Sequence, residues 1–158
     1  MVNKKHLLRW VMLILWMCFI FYMSSQSGDE SQEQSDLVLS ILNFLGLQLS
    51  DNIKNLASFI VRKAAHVTEY LILYILIFRV VILYSHTKKA KIFSLLYMIL
   101  YACTDEIHQL FVPGRSGMIR DVFIDSIGGI IGISIISIYE NIKKRKSLNK
   151  MDPLSRTI

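Results

Sequence analysis

Apolar and polar positions along this chain fall in blocks rather than in alternation. Leu7–Met23 holds a single charge, Arg9, and three further apolar runs follow at Ala64–Tyr84, Ile92–Val112 and Ile119–Tyr139. Each of the last three matches the ~20 helical residues that cross a bilayer core. In lipid the backbone polar groups must find partners within their own segment, so the runs predict helices. The pattern predicts an all-α integral membrane protein. Its four-transmembrane-helix bundle has spans at about 7–23, 64–84, 92–112 and 119–139. The membrane domain is then 7–140, flanked by a short N-terminus, 1–6, and a basic tail, 141–158.

Between spans one and two the pattern changes. Ser24–Asp36, "SSQSGDESQEQSD", is polar, acidic and low in complexity, and predicts a loop. "DLVLSILNFLGLQL" follows, with Ser35 or Asp36 as a helix cap and Gly46 as its end. It is too short to span and predicts an amphipathic extracellular helical segment. A second start at Ser50 or Asp51 leads into Ile53, Leu56, Ala57, Ile60, Val61 and Ala64, one apolar helical face that runs on into span two.

Charge placement sets the expected orientation. The mean hydropathy is positive and the net charge is +6. The basic residues gather in three places: Lys4, Lys5 and Arg9; Lys88, Lys89 and Lys91; and Lys143 to Lys146 with Lys150 and Arg156. Positive residues favour the cytoplasmic side, which puts both termini inside and the 24–63 and 111–120 connections outside. The basic tail then anchors topology beside anionic lipid, and the charge is not that of a nucleic-acid-binding surface. The basic start and apolar run of span one also resemble a cleaved leader, but bulky Met23 lies two residues before Ser25, where cleavage would fall. Cys18 and Cys103 lie within spans and offer neither a disulfide framework nor zinc spacing.

With that orientation the ionisable residues share one depth. Span two begins with Arg62, His66 and Glu69, span three ends with Asp105, Glu106, His108 and Gln109, and span four begins with Asp121 and Asp125. Steps of three and four place Arg62, His66 and Glu69 on one helical face, and likewise Asp105 with His108 and Asp121 with Asp125. A lone charge at mid-bilayer costs ~2.5–3.5 kcal/mol, so a cluster this size needs partners, protons, metal or water. Crowded carboxylates suit acid–base chemistry. Pro113-Gly114 predicts a tight turn that holds Arg115 near both helix ends. Gly128 and Gly132 form a small-xxx-small packing face.

The pieces "SSQ" at Ser24–Gln26, "RKAAHVTEYLIL" at Arg62–Leu73 and "DEIHQLFVPGRSGMIRDVFIDSIGGIIG" at Asp105–Gly132 resemble the VanZ-like family. The resemblance implies a four-span protein of the bacterial plasma membrane. It also implies an envelope role connected with reduced susceptibility to teicoplanin-type glycopeptides. In one departure, Asp125 stands where the family often has Asn, which adds an acid.

These residues define an outward-facing polar pocket with open chemistry. His66, Glu69, Asp105, Glu106, His108 and Asp125 are the catalytic candidates: His66 or His108 as general base, and a crowded carboxylate as acid. Arg62, Gln109, Arg115, Asp121, Ser25 and Gln26 are the substrate-binding candidates, and the planar fork of Arg115 suits phosphate or carboxylate. Ser24 or Ser25 activated by a His is a further nucleophile candidate. His66, Asp105, Glu106, His108 and Asp125 supply nitrogen and oxygen for a divalent metal, but without HExxH-type spacing, and metal is not favoured. Membrane lipids are the expected partners, with a lipid-linked cell-wall precursor or a lipoglycopeptide as pocket occupant. The rivals are a non-enzymatic headgroup binder or scaffold, and an ion or proton pathway. The pathway lacks a relay through the inner half of the spans, where span two offers only Arg79.

Overall fold

The computed structural model describes residues 4–46 and 51–151. Among them the chain is all helix: α1 Lys4–Ser24, α2 Gly28–Phe44, α3 Asp51–Val81, α4 Thr87–Gln109 and α5 Ile119–Met151. Three helices, at Lys4–Ser24, Ile53–Val81 and Ile119–Leu148, are long and apolar enough to cross a membrane. The apolar middle of α4 is bracketed by Lys88, Lys89 and Lys91 at one end and by Asp105 and Glu106 at the other. It is not among the three.

The central helix is α3, which packs on α1, α2, α4 and α5. Its buried stripe is Tyr70, Leu73, Tyr74, Leu76, Ile77 and Val80, met by Leu13 and Ile20 of α1 and by Met98 and Ala102 of α4. Close approach of α5 to α3 depends on glycine. A methyl group on Gly128 would lie 2.5 Å from the Val67 carbonyl oxygen, and one on Gly132 would lie 2.3 Å from Tyr74 Cδ1. The small-residue face of α5 is thus its contact with α3.

The outer surface is apolar. Leu7, Leu8, Ile14, Leu15 and Phe21 of α1, and Ile119, Phe123, Ile130 and Ile138 of α5, are all exposed. Such continuous apolar exposure suits lipid as surrounding solvent rather than water.

Two local expectations are corrected. The Ser24–Asp36 stretch is mostly helix rather than loop, because Ser27 caps α2 and forms a reciprocal capping box with Glu30. Glu30 Oε2 accepts the Ser27 N–H at 2.8 Å, and Ser27 Oγ accepts the Glu30 N–H at 3.2 Å. Asp36 is therefore not a cap. It lies inside α2 and accepts from Gln32 Nε2 at 3.0 Å and from the Ser58 hydroxyl of α3. Gly46 follows the end of α2 with a φ of 99°, as its sequence position predicts. Of the second helix start, Ser50 and the side chain of Asp51 lie outside the described residues, as do the side chain of Lys150 and all of Arg156 in the tail. The helix from Asp51 runs unbroken to Val81. Helix α5 continues through the basic Lys143–Lys146 run to Met151.

Candidate functional site

The connection between α4 and α5 lies at the same end of the bundle as the C-terminus of α1. The Gly28 N–H donates to the Pro113 carbonyl at 3.1 Å, which ties the start of α2 to this loop. A methyl group on Gly28 would lie 2.2 Å from the Gly114 carbonyl oxygen, and Gly114 itself turns with a φ of 71°. Only glycines permit this approach and this turn. Arg115, carried by the turn, donates through Nε to the Gln26 carbonyl at 3.2 Å and through Nη2 to the Met23 carbonyl at 3.4 Å. It therefore caps the exit of α1, and its closing contacts are with main-chain oxygens. Burial, followed by the nearby Arg62 charge, lowers the Arg115 pKa below the usual guanidinium value. A guanidinium nevertheless stays protonated.

Two small cavities open around this turn. The first, about 180 Å³, lies between α3, α4, the loop and α5, with Lys63, Glu106, Arg120, Asp121 and Asp125 in its walls. The second, about 140 Å³, lies between α2 and α3, with Ser31, Gln34, Ser35 and Glu69 in its walls. Arg62, His66 and Arg115 belong to both. These three residues form the partition between the cavities, and all three are nitrogen bases.

Most acids of the first cavity already have structural partners. Asp121 Oδ2 meets Lys63 Nζ at 2.7 Å, an ion pair that joins α5 to α3. Glu106 Oε2 accepts the Met118 N–H at 2.8 Å. That carboxylate sits where α5 begins, at the positive end of the helix dipole. Asp125 differs. It is 2% exposed, and its Oδ2 has no hydrogen-bond partner among the described residues. His66 Nδ1 is likewise buried without a hydrogen bond, 3.7 Å from Glu69 Oε2. That distance is too long for a hydrogen bond.

The remaining residues singled out in the sequence lie beside the cavities. Asp105 is 3% exposed and lines neither cavity. Gln109 Nε2 donates to Ser24 Oγ at 3.0 Å and reaches Asp105 Oδ2 at 3.4 Å, which links α4 to α1. His108 also lines neither cavity. Its Nε2 is 3.1 Å from Ser25 Oγ, and its ring packs on Phe21 with centroids 4.4 Å apart. Gln26 Oε1 accepts from Gln34 Nε2 at 2.6 Å, a tie to α2. The structure thus gathers Arg62, His66, Glu69, Glu106, Gln109, Arg115, Asp121 and Asp125 around the cavities. It sets Ser25, Asp105 and His108 to the α1 side.

Among the described residues no three His, Cys, Asp or Glu side chains converge to hold a metal. His66 and His108 have different neighbours, so the five side chains weighed as zinc ligands do not form one site. Lys63 is the main residue absent from the sequence-derived set. It lies three before His66 on α3, and the helical spacing used for His66 and Glu69 would have found it. The α2 wall was hidden because its segment read as loop.

A helical membrane protein with a polar, anion-compatible site at one end is the class these features define. A family model described as VanZ/LLP1 matches residues 9–140, and the chain belongs to the VanZ/LLP1 family. No match was found among curated proteins or among solved structures.

Proposed function

We propose that this protein is a four-span bundle of the bacterial plasma membrane whose two adjoining cavities bind the anionic headgroup of a lipid-linked envelope molecule. Through that binding it lowers susceptibility to teicoplanin-type lipoglycopeptides. Helix α4 is the fourth span. Its Asp105 and Glu106 are buried inside the bundle, while Ile92, Phe93, Leu96 and Leu100 face outward. Its charged groups therefore need not face lipid. With the basic clusters cytoplasmic, both termini lie inside and the cavities open outward.

The observation that carries the reading is the shared partition of Arg62, His66 and Arg115. Both guanidinium groups line both cavities, so a phosphate there accepts from both planar forks. In a bundle whose surface is apolar, an anion that arrives on a lipid is already concentrated at this depth.

A catalytic version has one observation in its favour, the Ser25–His108 approach. The Ser25 hydroxyl has one proton, and Oγ lies 2.6 Å from the Phe21 carbonyl that accepts it. His108 Nε2–H then donates to Ser25. For nucleophilic attack the hydroxyl must turn and donate to a neutral Nε2 instead.

The test is teicoplanin susceptibility at equal membrane expression for Arg62→Gln, Arg115→Gln, His66→Ala, Glu69→Ala, Asp105→Ala and His108→Ala, each alone. The binding reading expects Arg62→Gln, Arg115→Gln and His66→Ala to lose most of the effect. Full activity in all of them sinks it. If Ser25→Ala and His108→Ala abolish the effect while Arg62→Gln and Arg115→Gln keep it, the catalytic version replaces it. A cysteine introduced at Ser116 should react with an impermeant reagent from outside intact cells; reaction only after lysis overturns the orientation.

A further inference from the structure

At the opposite end of the bundle, α3, α4 and α5 enclose a wide groove of about 830 Å³. Its floor is apolar, built from Phe78 of α3, Ile82 in the turn just after it, and Ile135 and Tyr139 of α5. Its rim is cationic. Arg79, Lys88, Lys91 and Lys143 line it, with Glu140 as the one carboxylate. Lys91 is committed, since Nζ meets Glu140 Oε2 at 2.7 Å and donates to Ser137 Oγ at 2.9 Å. Arg79, Lys88 and Lys143 are exposed and have no side-chain partner among the described residues. The groove thus has three uncommitted cations above an apolar trough.

We propose that this groove is a binding site for an anionic phospholipid, its phosphate held by Arg79, Lys88 and Lys143 and its acyl chains laid along Phe78, Ile82, Ile135 and Tyr139. Charge complementarity selects the headgroup, and the trough distinguishes a lipid from a free anion. Basic pockets between membrane helices recognise acidic headgroups in this way. The Lys91–Glu140 pair supports the wall between α4 and α5. The site shares no residue with the Arg62, His66 and Arg115 partition and does not depend on its function.

The test is native mass spectrometry of the full chain in detergent, titrated with phosphatidylglycerol and with phosphatidylcholine of matched acyl chains. A basic residue near the headgroup is worth roughly fivefold in affinity. The wild type should therefore retain phosphatidylglycerol at least ~25-fold better, the effect of two such residues. Arg79→Gln/Lys88→Gln/Lys143→Gln should erase that preference, whereas Lys144→Gln/Lys146→Gln, outside the groove, should keep it. Lys88→Glu alone, at an exposed position, should weaken phosphatidylglycerol retention without changing phosphatidylcholine retention. Equal retention of both lipids by the wild type overturns the site. So does preference retained by the triple variant, or lost as fully in the control pair. Soluble glycerophosphoglycerol that competes as well as the whole lipid makes the groove an anion site and overturns the lipid assignment.

Discussion

At the loop end of the bundle Lys63 meets Asp121 at 2.7 Å and Glu106 accepts the Met118 N–H at 2.8 Å. Arg115 there reaches two main-chain carbonyls. At the far end Lys91 meets Glu140, while the side chains of Arg79, Lys88 and Lys143 line an apolar groove without a counter-charge among the described residues. The loop end confines its charges in cavities of about 140 and 180 Å³, and the far end spreads them round about 830 Å³. Enclosed charges in a low-dielectric surrounding must be matched, because each unmatched one costs several kcal/mol. Charges on an open rim remain hydrated and can wait for a partner from the membrane. A fourth recess of about 670 Å³ between α1, α3 and α4, lined by Trp10, Leu13, Tyr97 and Leu100, has no charged wall and fits neither pattern.

The contrast makes graded predictions for stability, measured by thermal unfolding of the purified protein in detergent. Gly132→Val acts on both ends at once by forcing α5 from Tyr74. It should cost about 3 kcal/mol, the upper range for overpacking, and an unchanged melting temperature would remove α3–α5 contact as the organising interface. Lys63→Met leaves Asp121 only the 3.8 Å approach of the exposed Arg120 and should cost about 2 kcal/mol, with Lys63→Met/Asp121→Leu recovering most of it. If the double variant is as unstable as the single, the pair is not the source of the loss. Ser27→Ala removes the capping box of α2 and should cost about 1 kcal/mol. Hydrogen exchange confined to residues 28–44 would locate that loss. Lys91→Met breaks the corresponding pair at the far end, where Glu140 is 37% exposed, and should cost under about 1 kcal/mol. A loss equal to that of Lys63→Met would erase the contrast between the ends. Lys88→Gln should stay within about 0.5 kcal/mol, since the residue is exposed and unpaired.

Much of the polar site was legible because helical periodicity is local. Arg62, His66 and Glu69 recur at steps of four and three, and so did emerge on one face. The same rule extends to Lys63, which was passed over although it supplies the ion pair to Asp121. The α2 wall escaped for another reason. Low complexity between Ser24 and Asp36 suggested loop, but the Ser27–Glu30 capping box is a start signal written in the same residues. His108 shows the limit of periodicity. It shares a stripe with Asp105, yet its ring turns to Phe21 and Ser25 of α1, and a helix face broad enough to touch two neighbours does not say which one a side chain meets.

The sequence by itself determined the four long helices, their apolar character and the helical faces that carry the ionisable residues. Those properties follow from hydropathy, spacing and caps, all set within a few residues along the chain. Only the tertiary structure decided that Arg62, His66 and Arg115 separate two cavities, that Glu106 and Asp121 hold α5 while Asp125 Oδ2 and His66 Nδ1 lack a hydrogen-bond partner among the described residues, and that Arg79, Lys88 and Lys143 ring one groove. The reason is geometric. Pairing depends on distances of a few ångströms between helices tens of residues apart, and those distances are set by how closely Gly128 and Gly132 let α5 approach α3.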